Sequence, residues 1–144
     1  MKKDINVNKV VTRLLNIYEQ KHKIMTFHMK KINQEYFLVD VDDWLLQEGH
    51  VLAHNVLQKN LSELCVNQKT ARTLHKLYDL TWNNQHSSLY KIYLNDQLYI
   101  VFLKLITYAH QGDFIKGFCI PLNKSADLSF TIDIPVFKRS DFIS

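Results

Sequence analysis

The stretch Ser88–Ile106, SLYKIYLNDQLYIVFLKLI, decides the fold. Two β-rich runs flank Asn95 and Asp96, a two-residue connection of the kind that closes an antiparallel hairpin. Such a loop sets the register: Leu94 opposite Gln97, Ile92 opposite Tyr99, Tyr90 opposite Val101 and Ser88 opposite Leu103. The face so formed, extended by Leu105, is almost wholly apolar and should cover a core built with helices. The other face carries Lys91, Tyr93, Leu98, Ile100, Phe102, Lys104 and Ile106, and it is still too apolar to be left in water. The hairpin therefore needs a layer on each side. The second layer is an N-terminal helix or a second copy of the chain.

Residues 4–21 have the spacing of that helix. Val7, Val11, Leu14 and Tyr18 recur at steps of four and three, widened by Val10 and Ile17, with Lys9, Arg13, Asn16 and Gln20 opposite. Further on, IMTFHMKKI alternates only loosely, whereas Tyr36–Val41 reads as a strand. DVDDW supplies a turn, Gly49 a second one, and a short strand is expected around His50–His54. NVLQKNLSEL reads as a short helical connector. Asn67 can cap a longer helix to about Asn83, with a buried stripe of Ala71, Leu74, Leu77, Tyr78 and Trp82. After the hairpin, a strand over residues 113–122 starts at the Gly112–Asp113 turn and ends near Pro121. The tail, DLSFTIDIPVFKRSDFIS, is one more strand or a connector. This order predicts an α+β domain built on one antiparallel sheet.

The chain has 144 residues, enough for one domain with a real core, and 47% of them are hydrophobic against 22% charged. Three glycines and two prolines leave no flexible linker and no Gly-rich phosphate loop. No run approaches the roughly 20 apolar residues of a membrane helix. The N-terminus turns polar too soon for a secretory signal. Cys65 and Cys119 form neither a metal motif nor a disulfide framework, and reduced core thiols imply a cytoplasmic protein. The net charge is +4, but the lysines are scattered and no base-stacking motif accompanies them, which argues against direct nucleic-acid binding.

The element order resembles a PAS domain, the small sensor module of signalling proteins. EYFLVD and HVLAHN stand where the first two strands would be, and VLQKNLSEL is similar to the family's connector, with Gln58 where a glycine usually stands. TARTLHKLYDLTWNNQHSSLYKIYLNDQLYIVFLKLITYAHQGDFIKGFCIPL looks like the family's long helix and closing three-stranded meander, with Leu105 in place of its usual proline. The resemblance divides the chain into a flanking helix (1–23), a PAS-like domain (24–123) and an extra strand or connector (124–144). It implies a five-stranded antiparallel sheet with helices on one face and room between them for a small ligand. It also implies homodimerisation through the flanking helix and the outer sheet face, with Val7, Val11, Leu14, Tyr18, Ile100 and Phe102 as interface candidates.

The candidate cavity residues are Tyr78 and Trp82 on the helix and Tyr90, Ile92, Tyr99, Val101 and Leu103 on the sheet, material for a small apolar or aromatic ligand. The competing reading is a filled core. His75 lies where some haem-binding members place a ligand, but a helix-surface pair with Asp79 competes, so haem and flavin are disfavoured and no metal is expected. His50 and His54 share a side of their expected strand without converging as ligands. Asp40, Asp42 and Asp43 could face a hard cation, but they lack the glycine and distal glutamate of a calcium loop and read as a solvated turn. No nucleophile–base arrangement is visible, so the chain is not read as an enzyme. The expected function is a sensory or transcription-regulatory module that passes a conformational bias to an output domain or partner. The alternatives are a ligand-free dimerisation module and a small enzyme on a cone-shaped fold.

Overall fold

The computed structural model describes residues 9, 12, 13, 15, 16, 24–84, 87–122 and 134–144. Two hairpins organise it. β1 (Met25–Ile32) and β2 (Glu35–Val41) come first, followed by the short helices α1 (Asp43–Glu48), α2 (Ala53–Val56) and α3 (Leu61–Leu64) and the long α4 (Gln68–Asn84). β3 (Ser88–Leu94), β4 (Gln97–Tyr108) and β5 (Gly112–Pro121) form the meander, and β6 (Val136–Lys138) precedes a 3-10 turn, Arg139–Asp141. The strands make one sheet in the order β2-β1-β5-β4-β3-β6. All its pairs are antiparallel except β3 with β6.

The β3–β4 register has the four pairs that a two-residue loop requires, Leu94 with Gln97 through Ser88 with Leu103. Asn95 and Asp96 both have positive φ, 50° and 65°, the turn geometry whose twist matches the flanking strands. Asn33 and Gln34, at 50° and 70°, do the same between β1 and β2. Asn67 Oδ1 accepts from Thr70 N–H at 2.8 Å, which caps α4 at the expected place. The connector is two short helical turns, the second held by a reciprocal cap between Asn60 and Glu63.

Three expectations need correction. The first strand is Met25–Ile32, not Tyr36–Val41: Met25, Phe27 and Met29 point inward in strict alternation with Thr26, His28 and Lys30. No strand forms at His50–His54. His50 follows Gly49 in the left-handed region (φ 53°), and His54 belongs to α2. The DVDDW turn continues into helix α1. The tail adds β6, the extra strand expected of it as an alternative to a connector, so the sheet has six strands.

The sheet buries both faces. On one, Tyr90, Leu94, Tyr99, Val101 and Leu103 join Ala71, Leu74 and Tyr78 of α4 in the main core. On the other, Leu89, Ile100, Phe102, Ile120 and Leu122 form a second core, packed against Leu15 and Ile134. Lys9, Thr12, Arg13, Leu15 and Asn16 are helical. Leu15 thus puts these helical residues on the outer face.

Gly117 sits opposite Phe27 on β1 and Leu103 on β4. A Cβ there would lie 2.2 Å from the Phe27 ring, so the glycine is what lets that ring lie flat across the sheet. Gly117→Ala should force the buried ring aside and destabilise the fold by about 1–3 kcal/mol in chemical denaturation. An unchanged midpoint would show that Phe27 does not depend on this gap.

Candidate functional site

Two apolar cavities lie between the helices and the sheet. The first, about 160 Å³ and partly open, is lined by Phe27 and Met29 of β1, Leu38 and Val41 of β2, Leu45, Leu61, Leu64, Leu74 and Tyr78 of the helices, Tyr90 of β3, and Phe142 and Ile143. The second, about 170 Å³, shares Leu38, Val41, Leu45, Phe142 and Ile143 and extends toward Val51, Val56, Ile92, Leu94 and Arg139. Of the seven expected cavity residues, Tyr78 and Tyr90 line the first cavity and Ile92 the second. Tyr99, Val101 and Leu103 are buried beside them in filled core. Trp82 stacks edge-on to Tyr36 at 6.2 Å instead. Tyr99 directs its hydroxyl outward to Glu48 Oε2, 3.2 Å away.

The tail, expected as a strand or a connector, also reaches the cavity wall. Phe142 pairs with Cys65 across an isolated bridge, and Ile143 follows it into the wall. The apolar DFI run was the only local signal, and it is too short to distinguish from a loop. The cavity-lining Phe27 and Met29 were missed with β1.

Ile100 and Phe102, expected at a dimer interface, are 0% and 4% exposed within the single chain. In this conformation they offer no surface to a second copy. Val7, Val11, Leu14 and Tyr18 lie outside the described residues.

The polar candidates disperse. His75 Nδ1 pairs with Asp79 at 3.1 Å and its Nε2 meets Gln34 O at 3.1 Å, so both ring nitrogens already have protein partners. Asp79 also accepts from the buried Tyr36 hydroxyl at 2.7 Å. The acidic run splits: Asp42 accepts from Thr26 N–H at 2.9 Å, Asp40 pairs with His28 at 3.2 Å, and Asp43 opens α1. His28, which has no distinguishing sequence pattern, bridges Asp40 to the Tyr108 hydroxyl, 2.8 Å from its Nε2. Strand register makes that bridge, because His28 faces Asp40 on β2. Among the described residues no three His, Cys, Asp or Glu side chains group to hold a metal, and no helix is long and apolar enough to cross a membrane.

The interior holds few polar atoms, and burial controls them. The Tyr78 and Tyr90 hydroxyls are hydrogen-bonded to each other, and burial pushes both phenols up. Both thiols are free and buried. Burial raises Cys65 to about 11, helped by Asp141, and Cys119 to about 12, helped by Asp42. Neither should react with a thiol reagent at pH 8 until the chain unfolds. Below pH 9 the folded and unfolded states both keep the Cys119 proton. Above it the unfolded chain releases that proton first, so stability should fall by about 1.4 kcal/mol per pH unit from this group. Denaturation midpoints between pH 8 and 10.5 should therefore drop less steeply in Cys119→Ala, and parallel profiles would contradict this.

No protein-family model matches the chain, and no curated protein matches it. Solved structures do. A domain of an HTR-like protein from Haloarcula marismortui is 7% identical, covering 69% of this chain and 98% of that one at a TM-score of 0.51. A sensory box sensor histidine kinase structure from Vibrio cholerae is 14% identical, covering 85% and 100% at 0.50. A light-oxygen-voltage domain studied with a flavin analogue is 10% identical, covering 78% and 86% at 0.51. At these identities the likeness is one of fold: the chain has the PAS fold, with β6 as a sixth strand.

Proposed function

We propose that this chain is a sensory module that takes up a small uncharged ligand between its helices and its sheet and passes the resulting conformational bias to a partner or output domain. The observation that carries the reading is the pair of apolar cavities, about 160 and 170 Å³, against a sheet whose other side is also packed. The neighbours described as a sensory box kinase and a light-oxygen-voltage domain support the sensory class. The dispersal of the histidines and carboxylates supports a non-enzymatic role. Two free, buried thiols support a reducing, cytoplasmic setting. A ligand would shift the module only through different affinities for two states of the domain.

A ligand-free dimerisation module is the second reading, favoured by the modest size of each cavity. Homodimerisation through the N-terminal helix belongs to both readings and is measured directly by sedimentation velocity. A monomer at high micromolar concentration would remove it.

Benzene tests the cavity. An apolar space of about 150 Å³ accepts it, so benzene should shift the side-chain resonances of Leu74 and Tyr78 in the wild-type protein. Leu45 borders both cavities. Leu45→Trp should fill them and weaken benzene binding at least about tenfold while leaving the fold intact. No shift at saturating benzene would sink the ligand reading and leave the interaction module.

A further inference from the structure

Residues 134–144 run along the open edge of the sheet and then turn inward. The attachment is uneven: Phe137 is buried in the main core, edge-on to Tyr90 at 5.4 Å, and the residues after it are held by fewer contacts. Pro135 O accepts from Lys91 N–H at 2.8 Å, Asp141 O accepts from Val66 N–H at 2.9 Å, and Ile143 N–H donates to Leu64 O at 2.9 Å. Arg139 donates from Nε to Gly49 O at 2.6 Å and from Nη1 to Phe142 O at 3.0 Å, tying the strap to the end of α1. β6 is three residues long, and its Val136 is 54% exposed. With Phe137 as the fixed end, residues 139–144 open at smaller cost than the central strands.

What the strap delivers is Phe142 and Ile143. They stand in the wall common to both cavities with Leu38, Val41 and Leu45, and they alone of those five come from outside the meander, hairpin and helices. We propose that Phe142 and Ile143 form an internal plug, and that a neutral apolar molecule of two or three rings binds by replacing them, so that ligand binding and strap docking exclude one another. The proposal rests on the reading of the cavities as a ligand site.

Size and charge define the ligand. Each cavity alone suits a single ring, since about 150 Å³ holds benzene. Removing a phenyl and a branched aliphatic side chain from the common wall joins the two. A charged ligand would enter without a counter-charge, because the remaining walls are apolar and the Tyr78 and Tyr90 hydroxyls are occupied with each other. Arg139, the cation that borders the second cavity among the described residues, belongs to the strap and leaves with it. The released end is then the signal: ligand occupancy is read as exposure of residues 139–144.

The test uses the full chain and the neutral fluorescent probe N-phenyl-1-naphthylamine. Phe142→Ala/Ile143→Ala should bind it at least about tenfold more tightly than the wild type, whose docked strap reduces the competent fraction. Arg139→Gln leaves both plug side chains in place and should shift affinity in the same direction by loosening the strap. Saturating the wild-type protein with probe should speed hydrogen exchange at the Val66 and Ile143 amides. Equal affinities with unchanged exchange would overturn the plug while the cavity reading stands. Tighter binding by the double variant alone, with those amides still protected in loaded wild type, would mean only a larger hole and also overturns it. No uptake by any folded variant would overturn both the plug and the cavity reading.

Discussion

Burial of β4 on both faces is the constraint from which the rest of the molecule follows. Val101 and Leu103 point into one core while Ile100 and Phe102 point into another, and all four are at most 4% exposed. A strand of this kind cannot stop at a two-layer sandwich with one wet face. It requires α4 and the short helices on one side and a further element on the other, where Leu15 and Ile134 pack. The outer cover is thereby an integral part of the domain.

The inner side shows how a PAS-type fold leaves space. α4 contributes Leu74 and Tyr78, and α1 to α3 arch over the β1–β2 hairpin with only short turns of helix. Short helices bury less per residue than long ones and fit the sheet less closely, so the gaps collect beneath them. Phe27, held across Gly117, and the Tyr78–Tyr90 pair form the floor of that space. Phe142 and Ile143 complete its wall from a segment that joins the sheet by three residues of parallel pairing.

Among the described residues the ion pairs lie at the surface. Asp79 gathers Tyr36, His75 and Lys31 at the open side of α4, and His28 links Asp40 to Tyr108 at the far edge of the sheet. These arrangements fix side chains where strands and helix meet water, and none reaches the cavities. Inside, the few hydroxyls and thiols stay protonated because burial disfavours their charged forms.

The legible parts of the sequence were those whose reach is local. The Asn95–Asp96 loop dictated every pair of β3 with β4, Asn67 marked the start of α4, and the spacing of Ala71, Leu74 and Tyr78 marked its buried face. β1 was harder, since Lys31 and Ile32 blur the end of its alternation and Asn33–Gln34 lacks the glycine that usually announces a tight turn. Trp82 had the right helical phase for the cavity and yet packs on Tyr36, because phase gives a direction around the helix and not the neighbour met there. The amino-acid sequence by itself determined the hairpin register, the long helix and the need for two covering layers, all consequences of periodicity and turn chemistry within a few residues. Only the tertiary structure decided which side chains border empty space, for a cavity is the residue-by-residue mismatch of distant surfaces. It alone could bring Phe142 and Ile143 back beside Leu38 and Leu45.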